Sequence, residues 1–204
     1  YTYDSRDQLK AAINAGNSKL SETFSYLPNG NLTSVVNSGD AALSKTFEYQ
    51  NARPHALSKF NTLAASYDLN GNTASDGTRT YIWDAANRLS SVKMLATGVV
   101  TSFVYGADGA RVKKVTTLGD ATLYPDAGTE ISGKIADWDG TKAYTRYPHM
   151  DVKVVATTAH FLHRDHLASV REITSDTGTR ETKESTRYRP YGEALDPATD
   201  AKPT

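Results

Sequence analysis

The sequence contains no cysteine among its 204 residues, which excludes a disulfide scaffold and any zinc or iron–sulfur site with cysteine ligands. It also lacks an excess of charge of either sign, because 23 Lys and Arg residues balance 23 Asp and Glu residues. A basic surface for nucleic acid or for an anionic membrane is therefore not predicted. Long apolar runs are missing as well: segments such as Thr97–Val100 are far shorter than the ~20 residues that span a bilayer.

The first residues show no sign of a targeting segment. Tyr1-Thr2-Tyr3-Asp4 form neither the basic nor the apolar part of a signal peptide, and the chain does not begin with Met. We therefore expect it to be a piece of a longer protein. Its length suits one domain, or part of a larger one, with a buried core.

Tyrosine dominates the aromatic residues, with 12 Tyr against 5 Phe and 2 Trp. A tyrosine ring is apolar at its base and polar at its tip, which suits a strand whose side chains reach from a thin apolar layer into water. This composition predicts strands in a thin or hollow sheet structure.

A short unit recurs along the chain: an aromatic residue, several turn-forming residues, and an apolar or β-branched residue six or seven positions later. The units are Tyr3–Leu9, Tyr26–Leu32, Tyr67–Thr73, Trp83–Leu89 and Tyr105–Val112, with a degenerate copy that begins at Phe47-Glu48-Tyr49 and carries Arg53-Pro54. Successive units start about 15 to 23 residues apart, a period typical of strand–turn–strand arrays.

Each unit combines a strand pattern with a turn signal. Residues such as Thr23–Tyr26 alternate polar and apolar side chains, the period of a half-buried strand. Asn-Gly or Asp-Gly pairs follow at the turn glycines Gly30, Gly71 and Gly109, where a positive φ angle reverses the chain. We predict an all-β fold of successive antiparallel β-hairpins in a curved, spiralling sheet; the single helical candidate, Asp7–Asn14, is disfavoured by its alternation.

The repeat unit resembles the tyrosine–aspartate (YD) repeat of Rhs-type proteins, and the second half of the chain strengthens the resemblance. Four stretches are similar to family signatures in the same order: Tyr105–Lys114, His163–Arg171, Ile173–Gly178 and Tyr188–Glu193. The second of these resembles Asp-His-Leu-Gly-Ser-Val-Arg. With the repeat units included, the resemblance covers roughly residues 1–193. Rhs-type proteins include insecticidal toxin-complex C components, wall-associated bacterial proteins and animal teneurins.

The resemblance implies a hollow shell built from a spiralling β-sheet around a C-terminal toxin. By this resemblance the chain is a structural shell segment of a polymorphic toxin that encapsulates and helps deliver its cargo, without enzymatic activity or cofactor. Its partners would be the remainder of the shell, the enclosed toxin, secretion-spike proteins and glycans. The protein would be secreted or delivered by a bacterial secretion system, acting outside the cell or at its surface in interbacterial competition.

The family signature defines the residues on which we expect the structure to depend. They are Asp165, His166, Leu167, Ser169, Arg171, Tyr188, Pro190 and Gly192. We predict that Asp165 and Arg171 form a buried pair that anchors successive turns of the spiral. The expected organisation is repeat hairpins in residues 1–120, a conserved core-associated segment in residues 121–195, and a polar tail in residues 196–204.

Three departures from the family pattern stand out. Ala168 replaces the usual Gly, and Tyr191 replaces the usual Phe. The family's self-cleaving junction, Asp-Pro-x-Gly-Leu, is not completed here, because Asp196-Pro197 is followed by Ala-Thr. Self-cleavage is therefore not assigned to this chain.

A metal-dependent hydrolase is one alternative function. The segment from His160 to His166 resembles the His-x-His-x-Asp-His ligand set of metallo-β-lactamase-type enzymes, with His163, Asp165 and His166 in place. Phe161 occupies the position of the first ligand, and further ligands are required downstream. A buried Asp–His hydrogen bond that fixes a turn is the favoured interpretation.

A carbohydrate-binding surface or adhesin module is the second alternative, with Trp83 and Trp138 as a sugar platform. Asp137 and Asp139 flank Trp138, as a pair of carboxylates would in a glycosidase. Because Asp139-Gly140 is also a hairpin dipeptide, a turn is the favoured interpretation there.

Overall fold

The computed structural model of the chain describes residues 1–50, 52–136, 142–181 and 186–196. Its strands are β1 (Thr2–Tyr3), β2 (Leu9–Ala12), β3 (Glu22–Tyr26), β4 (Leu32–Asn37), β5 (Lys45–Tyr49), β6 (Leu57–Phe60), β7 (Leu63–Ala64), β8 (Ser66–Tyr67), β9 (Thr73–Ser75), β10 (Arg79–Trp83), β11 (Leu89–Met94), β12 (Val100–Tyr105), β13 (Arg111–Thr116), β14 (Asp120–Asp126), β15 (Thr129–Lys134), β16 (Ala143–His149), β17 (Val152–Val155), β18 (Thr158–Arg164), β19 (Val170–Ser175), β20 (Arg187–Tyr188) and β21 (Ala194–Leu195). Two single-turn 3-10 helices cover Ser18–Leu20 and Ala41–Leu43.

The prediction of an all-β fold made of successive antiparallel hairpins is confirmed. Within the described ranges no α-helix occurs, and the disfavoured helical candidate Asp7–Asn14 contains the strand β2. The same described residues contain no helix long and apolar enough to cross a membrane.

The chain divides into two compact units, residues 1–80 with 189–192 and residues 81–188 with 193–204. In the first unit, β1 to β7 lie side by side in chain order, and β8 pairs with β9. In the second unit, β11 to β19 also lie side by side in chain order, and β20 pairs with β21. The predicted boundaries between segments, at residues 120 and 195, stay a prediction. They separate kinds of sequence motif, whereas the two units are defined by packing.

The core of the first unit lies on one face of its sheet. Ala12, Phe24 and Val35 are buried there, and Leu9, Tyr26, Leu32 and Phe47 pack against them. They come from neighbouring strands, because alternate residues of each strand face the same side. Burial of a side chain such as Phe24 contributes about 1.5–3 kcal/mol. In the second unit, Ala121, Ile173 and Leu195 are buried.

The tyrosine-led turns share one backbone geometry. In the turn after Tyr105, the amide of Gly109 donates to the Gly106 carbonyl at 3.0 Å, and the Gly106 amide donates to the Ala110 carbonyl at 2.8 Å. Gly109 has φ +82°. The pairing register shifts between Val104 and Tyr105, so the turn ends in a β-bulge of the type that needs a left-handed residue.

The left-handed position is not always a glycine. Gly30 and Gly71 hold it with φ +90° and +89°, whereas Asn87 and Ala168 hold it with φ +56° and +62°. An alanine in this region brings its Cβ close to the following carbonyl oxygen, which costs roughly 1–2 kcal/mol. The first departure from the family pattern, Ala168, therefore lies where glycine fits the backbone better.

We predict that Ala168→Gly stabilises the chain by about 0.5–1 kcal/mol, since relief of the left-handed strain exceeds the extra entropy that glycine gives the unfolded chain. Urea denaturation measures the change. The matched control is Ala110→Gly, in the equivalent turn but outside the left-handed region, which should destabilise slightly. Equal effects of the two substitutions would contradict the prediction.

Candidate functional site in the tyrosine-led turns

An aspartate side chain closes several of the turns. In the turn that begins at Asp84, one carboxylate oxygen accepts the backbone N–H groups of Ala86 and Arg88, each at 2.9 Å. The other oxygen accepts the Arg88 Nε–H at 2.8 Å. The same pair of backbone contacts, to the second and fourth residues after the aspartate, forms at Asp4, Asp68 and Asp165. The aspartate thus satisfies amides that the reversal leaves unpaired.

These contacts favour the charged carboxylate, because hydrogen bonds to the ionised form lower a pKa. The backbone N–H of Arg88 is the main cause that lowers the pKa of Asp84. The backbone N–H of Gln8 lowers the pKa of Asp4 in the same way. The side-chain amide of Asn72 is the main cause that lowers the pKa of Asp68.

In five of the turns, the tyrosine hydroxyl contacts the backbone beside an earlier turn. The hydroxyl of Tyr105 donates to the carbonyl of Leu89 at 2.8 Å, and Leu89 is the residue that follows the preceding turn. The equivalent contacts are Tyr26 to Leu9, Tyr49 to Leu32, Tyr67 to Leu57 and Tyr188 to Val170, at 2.8–3.2 Å. Burial is the main cause that raises the pKa of both Tyr26 and Tyr49. Turn and tyrosine together therefore connect one repeat to another.

The signature segment around Asp165 forms one of these turns, followed by β19. Asp165 accepts the backbone N–H groups of Leu167 and Ser169 at 2.9 and 3.1 Å, whereas the side chains of His166 and Leu167 are exposed. The predicted Asp–His hydrogen bond is wrong, since backbone amides occupy the carboxylate.

The Asp165–Arg171 pair forms at 3.7 Å, but the two side chains are 22% and 40% exposed. The prediction of a buried pair is therefore wrong. The guanidinium of Arg171 lies 5.6 Å from the ring centroid of Tyr188. Because Asp165 and Arg171 flank the same turn, their ion pair stabilises one hairpin and does not connect successive turns.

The residues of the hydrolase alternative have structural partners. His163 Nε2 lies 2.9 Å from the Thr174 hydroxyl on the neighbouring strand, and His160 lies 2.6 Å from Glu181. In the part of the chain that the structure describes, no group of three or more His, Asp or Glu residues is placed to hold a metal ion.

The sugar-platform alternative stays a prediction, because the structure describes only one of its two tryptophans. Trp83 is half-buried at the end of β10, in the aromatic position of its turn. Trp138, with Asp137 and Asp139, lies outside the described residues, as does Pro197 of the incomplete junction motif.

A buried ion pair in the first unit was not predicted from the sequence. Arg189 Nη1 donates to Glu22 Oε1 at 2.8 Å, and each side chain is only 3% exposed. The same nitrogen donates to the Lys19 carbonyl at 3.0 Å. One signal was available: Glu22 is two residues before Phe24, so strand alternation places its carboxylate on the buried face.

The two other signature residues next to Arg189 complete the turn. Pro190 is exposed, and Gly192 has φ +82°. Tyr191, the second departure from the family pattern, packs edge to face on Phe24 with ring centroids 5.2 Å apart. Its hydroxyl is hydrogen-bonded to the hydroxyl of Tyr26, a contact that phenylalanine cannot make.

The hairpins follow one another in chain order, aspartates close their turns, and tyrosine hydroxyls connect neighbouring repeats. These features define the chain as an all-β repeat protein. Its fold is similar to that of three solved toxin-complex chains. The crystal structure of TcdB2–TccC3–Cdc42 matches 95% of this chain and 12% of that chain, with a TM-score of 0.72 and 17% identity. The crystal structure of TcdB2–TccC3 matches 85% of this chain and 10% of that chain, with a TM-score of 0.66 and 15% identity. The structure of the Photorhabdus luminescens Tc holotoxin pore matches 85% of this chain and 10% of that chain, with a TM-score of 0.66 and 16% identity.

The sequence is also similar to curated bacterial proteins. Over 93 residues it is 38% identical to the tRNA nuclease WapA of Bacillus subtilis strain 168 and to the tRNA3(Ser)-specific nuclease WapA of Bacillus spizizenii. The match covers 44% of this chain and 4% of each relative. No protein-family model matches the chain.

We predict that acid destabilises the native chain more than it destabilises Asp84→Asn. A carboxylate with a lowered pKa stabilises the fold above its ordinary pKa, and this stabilisation is lost as the pH falls through the folded-state pKa. The asparagine oxygen can still accept both amides but does not titrate. Urea midpoints between pH 6 and pH 2 measure the difference. Identical pH profiles for the two proteins would contradict the prediction.

We predict that Tyr105→Phe destabilises the chain by about 0.5–1.5 kcal/mol, because it removes the hydroxyl from the Leu89 carbonyl and keeps the ring in place. Thermal or urea unfolding measures the loss. Tyr144→Phe, at a tyrosine that is 48% exposed, is the control and should be close to neutral. A neutral Tyr105→Phe would show that the contact carries no net stability.

Proposed function

We propose that the chain is a structural wall segment of an Rhs-type polymorphic toxin shell, built from YD repeats, that encapsulates a C-terminal toxin and helps deliver it. The observation that carries this proposal is the fold similarity to the TcdB2–TccC3–Cdc42 chain over 95% of the present chain. The sequence similarity to WapA proteins, at 38% identity over 93 residues, is a second observation in support of this proposal.

The physical requirements of a wall agree with the observed strand order. A barrier made of one sheet needs strands whose backbone groups are paired on both sides, because an unpaired edge binds other chains. In the second unit each of the strands β12 to β18 has a hydrogen-bonded neighbour on either side. Such a wall excludes or retains a chain without any reacting side chain, and we propose that this segment is not an enzyme and needs no cofactor.

The nuclease activity in the name of the WapA relatives is not proposed for this chain. It spans about 4% of those proteins, and its formal net charge is zero. Binding of tRNA phosphates requires an excess of Lys and Arg. We propose instead that the chain's partners are the rest of the shell and the enclosed toxin, with secretion-spike proteins as delivery partners. On this proposal the assembled protein is secreted or delivered to the outside of the cell.

A chimera tests the wall function. Residues 1–196 replace the matched tenth of the chain in TcdB2–TccC3, and a protease-sensitive reporter follows the C-terminal end of the matched part. We expect the folded chimera to protect the reporter from trypsin at least about tenfold over a reporter on an open linker, since cleavage follows the population of open states.

The matched variant is Val154→Pro in the same chimera. Val154 pairs with both Arg146 and Ala159 in the interior of the sheet, where proline removes a ladder hydrogen bond. We expect protection to fall in this variant. A folded chimera whose reporter is cut as fast as the open-linker control would contradict a wall function.

A further inference from the structure

The last turn of the described chain has the backbone of the tyrosine-led turns but a different side chain at its start. The amide of Gly192 donates to the Arg189 carbonyl at 2.8 Å, and Gly192 has φ +82°. Tyr188 precedes the turn and pairs with Ala194 after it. Arg189 therefore occupies the position that Asp84 occupies in its own turn.

An arginine cannot act as the aspartate does, because a guanidinium has donors and no acceptor for backbone N–H groups. Its side chain instead extends away from its own turn, into the sheet of the first unit. There it contacts two acceptors, the Glu22 carboxylate at 2.8 Å and the Lys19 carbonyl at 3.0 Å. Where an aspartate accepts the amides of its own turn, the arginine at this position instead binds acceptors on another strand and its preceding segment.

The acceptor site on the sheet matches this arginine in charge and burial. Glu22 is buried, with only 2% of the whole residue exposed. A carboxylate removed from water in this way is strongly destabilising unless a cation is paired with it. The site is thus built for one class of ligand, a cation that brings its own hydrogen-bond donors.

An aromatic contact gives the site a second point of recognition. Tyr191 of the same turn packs edge to face on Phe24, whose ring belongs to the buried cluster with Ala12 and Val35. The hydroxyls of Tyr191 and Tyr26 are hydrogen-bonded. Charge, hydrogen bonding and ring geometry therefore all select a turn with arginine and tyrosine two residues apart.

We propose that Glu22, the Lys19 carbonyl, Phe24 and Tyr26 form a recognition site for an Arg-Pro-Tyr-Gly turn, which residues 189–192 fill within the same chain. Docking makes the turn part of the first unit, and the Glu22–Arg189 pair is its specificity determinant. This inference concerns internal recognition and does not depend on the wall function.

The absence of native cysteine permits a direct test with spin labels in the full chain. Lys19→Cys and Pro190→Cys, both at exposed side chains, place two nitroxides beside the site and keep Arg189, Tyr191 and the groups that these two residues contact. Docking brings the labels close enough to broaden each other's spectrum. Reading this broadening across a urea titration gives the ratio of docked to undocked turn.

We expect Arg189→Leu and Glu22→Gln each to lower the docked-to-undocked ratio by about 100-fold or more, the scale for leaving a buried charge unpaired. Arg189→Lys should lower it less, because lysine keeps the charge but its compact ammonium does not reproduce the planar guanidinium. The control is Lys59→Met, which removes a cation from the exposed Lys59–Glu48 pair of the same unit and should leave the ratio unchanged.

Two results would overturn the proposal. One is broadening that survives Arg189→Leu and Arg189→Lys equally, in chains whose β12–β15 amides remain protected from hydrogen exchange. The other is broadening that disappears on mixing with excess unlabelled chain, which would place the docked turn on a second copy. If Glu22→Gln unfolds the first unit, the comparison of Arg189→Lys with Arg189→Leu still decides the outcome.

Discussion

Antiparallel pairing between strands that are consecutive in the chain is the constraint on which this structure depends. In turns such as the one after Tyr105, the chain reverses within a few residues by means of one residue with a positive φ angle, here Gly109 at +82°. The amides that the reversal exposes need acceptors, which Asp84 and its equivalents supply. Strand, left-handed residue and aspartate are therefore parts of a single solution to backbone hydrogen bonding.

The tyrosines extend this local solution from one repeat to another. A thin sheet buries little apolar volume, and few apolar side chains of the described residues are buried. A tyrosine compensates because its ring packs on the sheet while its hydroxyl satisfies a carbonyl near an earlier turn, as Tyr105 does with Leu89. Phenylalanine would supply the ring but leave the carbonyl without this donor. The tyrosine-rich composition of the chain follows from this double role.

Local features of the structure could be predicted from the sequence because their causes are local. Alternation in Thr23–Tyr26 identified β3, and Asn-Gly or Asp-Gly pairs identified the turns at Gly30 and Gly109. The Asp165–Arg171 prediction was wrong because opposite charges near one turn pair at its surface rather than in the core.

The Glu22–Arg189 pair was missed because its partners are 167 residues apart, and no periodicity relates them. Alternation in β3 places Glu22 on the buried face of the strand, and this was the one sign in the sequence. It indicates that the carboxylate needs a cationic partner but does not identify the residue that supplies it.

Strand pairing in chain order also bears on how the protein folds. Nearly every strand finds its partner within a short stretch of chain, so the mean sequence separation between contacting residues is small, which favours rapid, stepwise folding. Hairpins can accordingly add to the growing sheet one at a time during synthesis on the ribosome. Docking of Arg189 is the exception, since Glu22 must wait for a residue that lies 167 positions further along the chain. The buried ion pair therefore closes the first unit only after the hairpins between these two residues have been synthesised.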